Sequence, residues 1–381
     1  MEHNLRVLFS CTGVGIFNRG IESFFRDSFD GLKNAMPGIE VRLLKGAGEA
    51  DAREKRVWCL QRTSAPARLL GCLIRRNAYV AEQLSSFPFV AREIHRWKPD
   101  VVFYSDSNLG FQLYRWRRQI GVPFKLLFSN GGPCHPPFVR TDFVHQVAPF
   151  YLDEALRAGE PPEKHFFVPY GINVPGAPVS DPAGKRGIRK KLGLPLDRPI
   201  VLSVGWISRE HKRMDYVIEE MARLPEPRPF LQLLGAMDER SQEIVGLGNR
   251  LLGMNNFAVA SVSYEQVAEY YQAADCFVLA SLKEGFGRVY LEAMMHGLAV
   301  IAHRHPVIEY VVGREGTLAN LDQPGELAAL LPGALQSSGD AVAAQRRWQS
   351  VRDRFHWPVL APAYQAMFEA VAKRSLPVKA N

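Results

Sequence analysis

Short apolar runs alternate with amphipathic stretches through the first half of the chain. We expect strands at residues 5–10, 40–46, 99–106, 123–130 and 165–173. A helix is expected at residues 21–35, where Phe24, Phe25 and Phe29 fall on one side. The strand-like runs are apolar rather than alternating, and two of them end in polar residues. This pattern is typical of parallel strands that are buried on both faces.

The pattern restarts after a link rich in Gly, Pro and Asp at residues 174–186. Strands are expected at 199–207, 229–236, 256–261, 275–281 and 299–303, with helices at 214–224, 241–253 and 263–274 between them. Ser263 is a candidate N-cap for the last of these helices. Strands that alternate with helices predict two α/β domains, each a doubly wound parallel sheet, with a cleft between them. Because ligands of such sheets bind beyond the carboxyl ends of the strands, we look for chemistry in the loops that follow strands.

Length and composition narrow the class of protein. A chain of 381 residues is too long for one ordinary core, which favours two domains. The five cysteines are scattered without a CxxC pair, so we expect reduced thiols in the cytoplasm rather than disulfides or a zinc site. The first residues do not resemble a signal peptide, and no run reaches the roughly 18 apolar residues of a spanning helix. The expectation is a soluble protein.

The net charge of +8 lies entirely in the first 150 residues, which contain 21 Lys and Arg against 13 Asp and Glu. The remainder has 26 of each sign. A basic first half suggests an anionic partner, either a lipid surface or an acidic acceptor, although a solvated arginine-rich surface explains it equally well. Residues 68–84 are interpreted either as an amphipathic helix that docks on a membrane or as a core helix with basic ends. No recognised nucleic-acid-binding module is present.

A glycine turn stands between the expected strand at 275–281 and the helix that follows it. Gly285 and Gly287 allow a tight backbone turn and a close approach to a ligand. The amides of Phe286, Gly287 and Arg288 then begin the helix, and their unpaired donors and the helix dipole favour an anion such as a diphosphate.

Two carboxylates bracket this turn. Glu292, about one turn into the helix, can accept hydrogen bonds from a ribose, and Glu284 can hold a sugar hydroxyl. Together with the turn, they describe a site for a nucleotide sugar. The alternative interpretation is structural, with Glu292 an exposed acid of the first turn and Glu284 a cap.

The second half resembles the donor domain of the retaining glycosyltransferases of the GT-B fold, family 4. "EGFGRVYLE" matches the E-x7-E signature of that family, and the segments at 203–218, 262–281 and 292–303 fit around it. The first half agrees more loosely, through "NRGIESFFRDSF" and "FVPYGIN". The stretch at 353–371 is similar to the closing helix of the family, which crosses back onto the first domain.

This resemblance implies an architecture with two Rossmann-like domains facing across a cleft. Residues 1–175, with a crossover helix at 358–381, would form the acceptor-binding domain. Residues 186–357 would form the domain that binds the nucleotide-sugar donor.

The resemblance also implies roles for individual residues on the donor side. Glu284 would contact hydroxyls of the donor sugar, and the amides of the Gly285–Gly287 turn would bind the diphosphate. Glu292 would bind the ribose. Lys212 would neutralise the leaving diphosphate, which implies that no metal ion and no other cofactor is required.

The chain departs from the family pattern after the first strand of its donor domain. The family usually has an arginine directly after the glycine that corresponds to Gly205, and this chain has Trp206. Arg209, Arg213 and Arg288 are the candidates to compensate, and Arg209 is placed in the donor site together with Arg288.

On the acceptor side, Asn130 stands where the family often has a histidine near the anomeric carbon. It can hydrogen-bond a sugar hydroxyl but cannot act as a base, which a front-face retaining route tolerates because the leaving phosphate takes the acceptor proton. Asp106 is a second candidate, either for acceptor binding or as a turn cap. His135, His145 and His303 are further candidates, each with a structural alternative.

The predicted function is transfer of a sugar from a UDP- or GDP-linked donor to a hydroxyl acceptor with retention, in polysaccharide or glycolipid assembly. A small-molecule acceptor such as a secondary metabolite, a nucleotide-sugar epimerase on the same fold, and a non-catalytic binding protein are the alternatives. Nicotinamide chemistry is disfavoured because "TGVGIFNRG" is not a GxGxxG fingerprint. The expected location is the cytoplasm, with peripheral contact at the inner membrane face as a further hypothesis.

Overall fold

The computed structural model describes residues 4–17, 19–132, 134–178 and 182–376. The chain divides into two compact units. The first unit comprises Met1–Asn173 together with Trp357–Asn381, and the second unit comprises Val174–His356. Residues 179–181 of the expected link and 377–381 of the expected crossover helix lie outside the described ranges.

The described ranges contain thirteen strands. Those of the first unit are β1 (Leu5–Cys11), β2 (Ile39–Lys45), β3 (Glu54–Arg56), β4 (Val101–Tyr104), β5 (Lys125–Asn130), β6 (Phe143–Gln146) and β7 (His165–Phe167). Those of the second unit are β8 (Ile200–Val204), β9 (Phe230–Leu234), β10 (Phe257–Ala260), β11 (Cys276–Leu279), β12 (Ala299–His303) and β13 (Thr317–Ala319). Strands appear at each place where the apolar runs predict them, and the short edge strands β3 and β13 and the inner strand β6 were not expected.

Fifteen α-helices lie within the same described ranges. The helices that follow strands of the first unit are α1 (Gly20–Leu32), α2 (Ala65–Leu73), α3 (Ala78–Trp97), α4 (Ser107–Arg115), α5 (Arg117–Ile120) and α6 (Pro149–Arg157). The second unit contains α7 (Pro182–Lys191), α8 (Met214–Ala222), α9 (Ser241–Leu251), α10 (Tyr264–Ala273), α11 (Arg288–Met295), α12 (Pro306–Val312), α13 (Glu326–Gln336) and α14 (Ala341–Phe355). The last helix, α15 (Trp357–Lys373), belongs to the first unit.

Both sheets have the strand order of a doubly wound fold. The first runs β3-β2-β1-β4-β5-β6-β7 and the second β10-β9-β8-β11-β12-β13, and all neighbouring strands pair in parallel. The order reverses between β1 and β4 in the first unit and between β8 and β11 in the second. Loops beyond the carboxyl ends of these strand pairs diverge and leave a crevice, so they form the switch points where ligands of such sheets bind. The predicted fold class is confirmed.

The last helix packs onto the sheet of the first unit. Phe368 lies 5.8 Å from Phe9 between ring centroids, and the Tyr364 hydroxyl donates to the carbonyl of Pro169 at 3.1 Å. Trp357 is buried against Gly31 and Gly171, where a Cβ on either glycine would lie within 2.5 Å of the indole. Burial of this aromatic face ties the end of the chain to its beginning.

The segment at 68–84 is not one helix. α2 ends at Leu73, Arg75 has a left-handed backbone with φ of 52°, and α3 starts at Ala78. Asn77 accepts a hydrogen bond from the amide of Val80 at 3.0 Å and caps α3. Residues with a short polar side chain at such a position compete with helix continuation, and the periodicity of the apolar residues alone does not reveal the break.

His145 lies in the core of the first unit. It is fully buried on β6, its Nε2 is 2.6 Å from the carbonyl oxygen of Val168, and its Nδ1 is 3.1 Å from the Ser129 hydroxyl. Burial lowers the pKa of His145 to about 4. The imidazole is therefore neutral at physiological pH and acts as a hydrogen-bonding core residue.

This buried imidazole gives a prediction about stability and pH. A histidine whose pKa is lower in the folded state binds its proton more weakly there, so the unfolded state is favoured as pH falls below about 6.5. Between pH 7 and pH 5, we expect His145 to remove about 2 kcal/mol from the free energy of unfolding. Urea unfolding of wild type and His145→Gln at both pH values measures this difference. An equal pH dependence in the two proteins would contradict it.

Candidate functional site

An ion pair stands at the switch point of the second unit. Lys212 lies in the loop after β8, Glu284 follows β11, and the Lys212 ammonium donates to Glu284 Oε1 at 2.5 Å. Their side chains are only 18% and 11% exposed. The two residues that the resemblance assigned to the leaving group and the donor sugar are thus brought together, although 72 positions separate them.

Glycine residues create the space for Lys212. A Cβ on Gly205, directly after β8, would lie 3.1–3.2 Å from three carbons of the Lys212 side chain. A Cβ on Gly235, after β9, would lie 1.6 Å from the carbonyl oxygen of Gly205. The strand ends therefore approach more closely than any residue with a side chain allows, and the lysine stem packs over this bare backbone.

The glycine turn leads directly into α11, as predicted. Gly287 has φ of 86° and occupies the N-cap position, where a glycine offers no side chain of its own to cap the helix. Phe286 is buried and packs edge-on against Phe355, at 5.9 Å between ring centroids. This anchor fixes the turn, so the positive end of the helix dipole and the Lys212 ammonium both flank Glu284.

The turn gives a second prediction about stability. In Gly287→Ala, the new Cβ would lie 2.7 Å from the buried ring of Tyr290, in addition to the left-handed backbone that an alanine resists. The matched control is Gly325→Ala, since Gly325 also has a left-handed N-cap conformation, with φ of 90°, but open space around it. We expect a loss of roughly 1–2 kcal/mol in the control and roughly 2–4 kcal/mol in Gly287→Ala by urea unfolding. Equal losses would show that the Tyr290 contact is unimportant.

Glu292 is largely buried within α11. It accepts a hydrogen bond from the Tyr271 hydroxyl at 3.1 Å, and the Tyr271 ring stacks on His296 at 5.5 Å. The structural alternative of an exposed first-turn acid is therefore wrong. Sequence reasoning did not identify Tyr271, because an aromatic residue at this position of α10 is what an ordinary core contact also requires.

A cavity of about 430 Å³ opens beside Lys212. It is lined by residues of the loops after β8 and β9 and of the helix after β9: Trp206, Ser208, Arg209, Glu210, His211, Lys212, Asp238, Arg240, Glu243 and Ile244. This volume is in the range of small-molecule sites. The residues after β9 were missed by sequence reasoning, although "MDER" directly follows the strand predicted at 229–236 and loops after strands are where ligands are expected.

The three candidate arginines occupy different environments. Arg209 is 61% exposed, lines the cavity, and pairs with Asp215 at 3.4 Å. Arg213 has a left-handed backbone, and its guanidinium donates to the carbonyl of Leu321 at 2.7 Å. Arg288 is buried as the first residue of α11. Of the three, Arg209 is the one that lines the cavity together with Lys212.

A polar cluster marks the switch point of the first unit as well. Asp106 follows β4 and accepts from the amide and hydroxyl of Thr12, after β1, at 2.9 and 3.1 Å. The Tyr79 hydroxyl donates to its other oxygen at 3.1 Å. Asp106 is fully buried, and this burial raises the pKa of its carboxyl although the bonds from Thr12 oppose the shift.

Three further charged groups surround this aspartate, and sequence reasoning missed all of them. Arg62 pairs with Glu82 at 2.6 Å and with Glu22 at 3.4 Å, and both acids are largely buried. A Cβ on Gly13 would lie 2.4 Å from Glu22 Oε1. Burial raises the pKa of Glu22. The Arg62 guanidinium thus forms ion pairs with two carboxylates of this cluster, Glu22 and Glu82.

The other predicted acceptor residues have structural partners in the first unit. Asn130 is buried at the end of β5, where its amide bonds both backbone polar atoms of Cys134 and the side chain of Gln146. His135 lies on the surface beside Glu154 at 3.0 Å. In the second unit, His303 ends β12, and partial burial lowers its pKa.

The described residues show neither a cluster of metal ligands nor a membrane-spanning helix. Among the described residues, no three His, Cys, Asp or Glu side chains are grouped as ligands of a metal ion would be. No helix in the described ranges combines the length and apolar character needed to cross a bilayer.

Residues 184–347 match the family model of glycosyl transferases group 1. The chain is 27% identical over 216 residues to a D-inositol 3-phosphate glycosyltransferase of Xylanimonas cellulosilytica, a match that covers 54% of this chain and 51% of that protein. The chain spans about half the length of the curated relatives that it matches.

Solved structures cover more of the chain at lower identity. Sucrose-phosphate synthase from Thermosynechococcus elongatus superposes with a TM-score of 0.75 and 20% identity, covering 96% of this chain and 98% of that one. Anabaena HepE, solved with UDP and glucose, gives a TM-score of 0.74 and 17% identity over 96% and 100% of the two chains. The chain has the GT-B fold, and its residues 184–347 match the glycosyl transferases of group 1.

Proposed function

We propose that this protein is a retaining glycosyltransferase that moves a sugar from a nucleoside-diphosphate donor to a hydroxyl acceptor. The observation that carries the proposal is the Lys212–Glu284 pair of 2.5 Å at the switch point of the second unit, beside the glycine-led start of α11, in the segment that matches the group 1 family model. A cation and a helix N-terminus suit a diphosphate, and a carboxylate suits sugar hydroxyls.

The donor binds along the carboxyl edge of the second sheet. The amides at the Gly287 turn and the Lys212 ammonium hold the diphosphate, and Glu292 accepts from the ribose. Arg209 adds charge from the wall of the 430 Å³ cavity, in place of the arginine that Trp206 replaces. UDP is the first nucleotide to test, because HepE was solved with it.

Transfer breaks the bond between the anomeric carbon and the diphosphate oxygen and forms one to the acceptor oxygen on the same face. Negative charge builds on the leaving diphosphate, where Lys212 and the helix amides stabilise it from fixed positions. The acceptor proton passes to the leaving phosphate oxygen, so no protein base is needed. Since Lys212 supplies the positive charge, no divalent metal is required in this proposal.

The acceptor binds at the switch point of the first unit. The buried cluster of Asp106, Thr12, Glu82 and Arg62 supports this assignment, because it is the polar group that follows β1 and β4. A glycan or lipid-linked glycan is the leading acceptor class, and a small molecule is the alternative. All five cysteines are free, which agrees with a reducing compartment such as the cytoplasm.

The test is incubation of the purified protein with a panel of UDP- and GDP-linked sugars, with and without glycan, lipid-linked and small-molecule acceptors. We expect release of nucleoside diphosphate from one donor to be slow alone and faster with one acceptor class, with the anomeric configuration retained. Conversion of the donor to an isomer would instead indicate an epimerase. If no donor stabilises the protein and none is turned over, the proposal is overturned.

A further inference from the structure

The helix α2 in the first unit has its apolar residues on the wrong side for a core helix. Its buried residues are Ala67 and Gly71, one turn apart. Leu69 and Leu73 are 65% and 72% exposed. Successive residues of a helix are turned by about 100°, so Leu69 lies nearly opposite the buried Ala67. The expectation of a core helix with basic ends is therefore wrong for these residues.

The small buried face is required by the packing of the segment. A Cβ on Gly71 would lie within 2.9–3.0 Å of the backbone of Arg76, Asn77 and Ala78. The amide of Arg76 also donates to the carbonyl of Gly71 at 2.7 Å, and Ser64 caps the start of the helix through the amide of Ala67. The exposed leucines are thus held on an ordered corner between α2 and α3.

Positive charge surrounds these leucines. Arg68 lies next to Leu69, and Arg75 and Arg76 follow the helix directly, and all three are exposed. Ile74 adds a third exposed apolar side chain. We name the set of Arg68, Leu69, Leu73, Ile74, Arg75 and Arg76 the α2 face.

Acidic residues are missing from the whole neighbouring sequence. From Lys55 to Ala81 the chain contains six Lys and Arg and no Asp or Glu. Trp58, within this stretch, is 56% exposed and packs against Phe89 at 5.5 Å between ring centroids. Exposed tryptophan, leucine and arginine without acids are what an interface between water and anionic lipid favours.

We propose that the α2 face docks the protein on a bilayer that contains anionic phospholipid. The leucines and the isoleucine enter the boundary between headgroups and acyl chains, and the three arginines pair with lipid phosphates above them. Charge complementarity identifies the partner. This docking goes beyond the proposed transfer reaction and can hold or fail independently of it.

The experiment is co-sedimentation of the full chain with two kinds of vesicle, pure phosphatidylcholine and phosphatidylcholine with one third phosphatidylglycerol. We expect binding to the anionic vesicles only, reduced when salt is raised from about 0.1 M to about 1 M. L69S/L73S should lower the partition coefficient at least about tenfold, through lost apolar burial. R68Q/R75Q/R76Q should lower it about a hundredfold, at about 1 kcal/mol for each arginine.

The matched control is R250Q/L251S/M254S, which changes exposed residues of the same kinds at the end of α9 in the second unit. It should bind vesicles like wild type. Thermal stabilisation by UDP, measured without vesicles, should be unchanged in all three variants, which separates this proposal from the donor site. Wild-type protein that ignores anionic vesicles, or α2-face variants that bind as wild type does, would overturn the proposal.

Discussion

Replacing Lys212 with methionine should lower turnover of the nucleotide sugar by about 10²–10³-fold, the effect of removing one preorganised charge-stabilising donor. Methionine keeps most of the apolar stem that packs over Gly205 but removes the ammonium that lies 2.5 Å from Glu284. The loss should fall mainly on kcat, because the charge that the lysine stabilises develops as the diphosphate leaves.

The measurement is release of nucleoside diphosphate from the donor that the panel identifies, with kcat and KM determined separately. Lys191→Met is the matched control, because Lys191 forms an ion pair of similar length, 2.6 Å, with Glu269 on the surface of the same unit. It should leave turnover unchanged. Magnesium should not restore Lys212→Met, and a chelator should not slow the wild type. Loss of wild-type activity on chelation would contradict the proposed role of the lysine.

Replacing Glu284 with alanine should lower turnover about a hundredfold while the fold is retained. A hydrogen bond between a charged group and a substrate hydroxyl contributes about 1.5–3 kcal/mol, which accounts for about one to two factors of ten. Glu284 also fixes the position of the Lys212 ammonium, so its removal loosens the group that stabilises the leaving diphosphate.

A double variant tests whether the two residues act as a unit. Residues in direct contact give non-additive effects, so Lys212→Met with Glu284→Ala should lose less activity than the product of the single losses. Circular dichroism and urea unfolding of each variant check that the fold is intact. Glu269→Ala serves as the control for loss of a carboxylate from an ion pair. Wild-type turnover in Glu284→Ala would remove this residue from the donor site.

Most buried strands of the two sheets were predictable, because burial on both faces selects short runs of apolar residues. Strands such as Ile200–Val204 and Ala299–His303 are buried along most of their length and therefore appear as short apolar runs. The edge strand Glu54–Arg56 escaped prediction, because its polar residues form a strand only through pairing with Leu43–Lys45. Helix boundaries at 74–77 escaped for a similar reason, since a local cap at Asn77 outweighs the apolar pattern.

The candidate site was predictable where neighbouring residues in sequence carry it. The glycine turn and Glu292 lie within nine positions, so a short motif describes them. The partners of Asp106 could not be predicted from a short motif. Thr12 lies 94 positions from Asp106, and Arg62 reaches Glu82 from a separate loop. Parallel sheets place the ends of distant strands side by side, so such contacts exist only in the folded chain.

The sequence by itself determined two parallel α/β sheets, a glycine-led helix start, and a basic, acid-poor first half, because hydrophobic periodicity and backbone freedom are local properties. The tertiary structure alone decided that Lys212 pairs with Glu284, that His145 is a core residue, and that Leu69 and Leu73 face outward. These outcomes depend on which strand ends lie side by side, and on which face of a helix carries side chains small enough to pack against its neighbours. Both are properties of the assembled sheets and helices, since they arise from contacts between residues far apart along the chain.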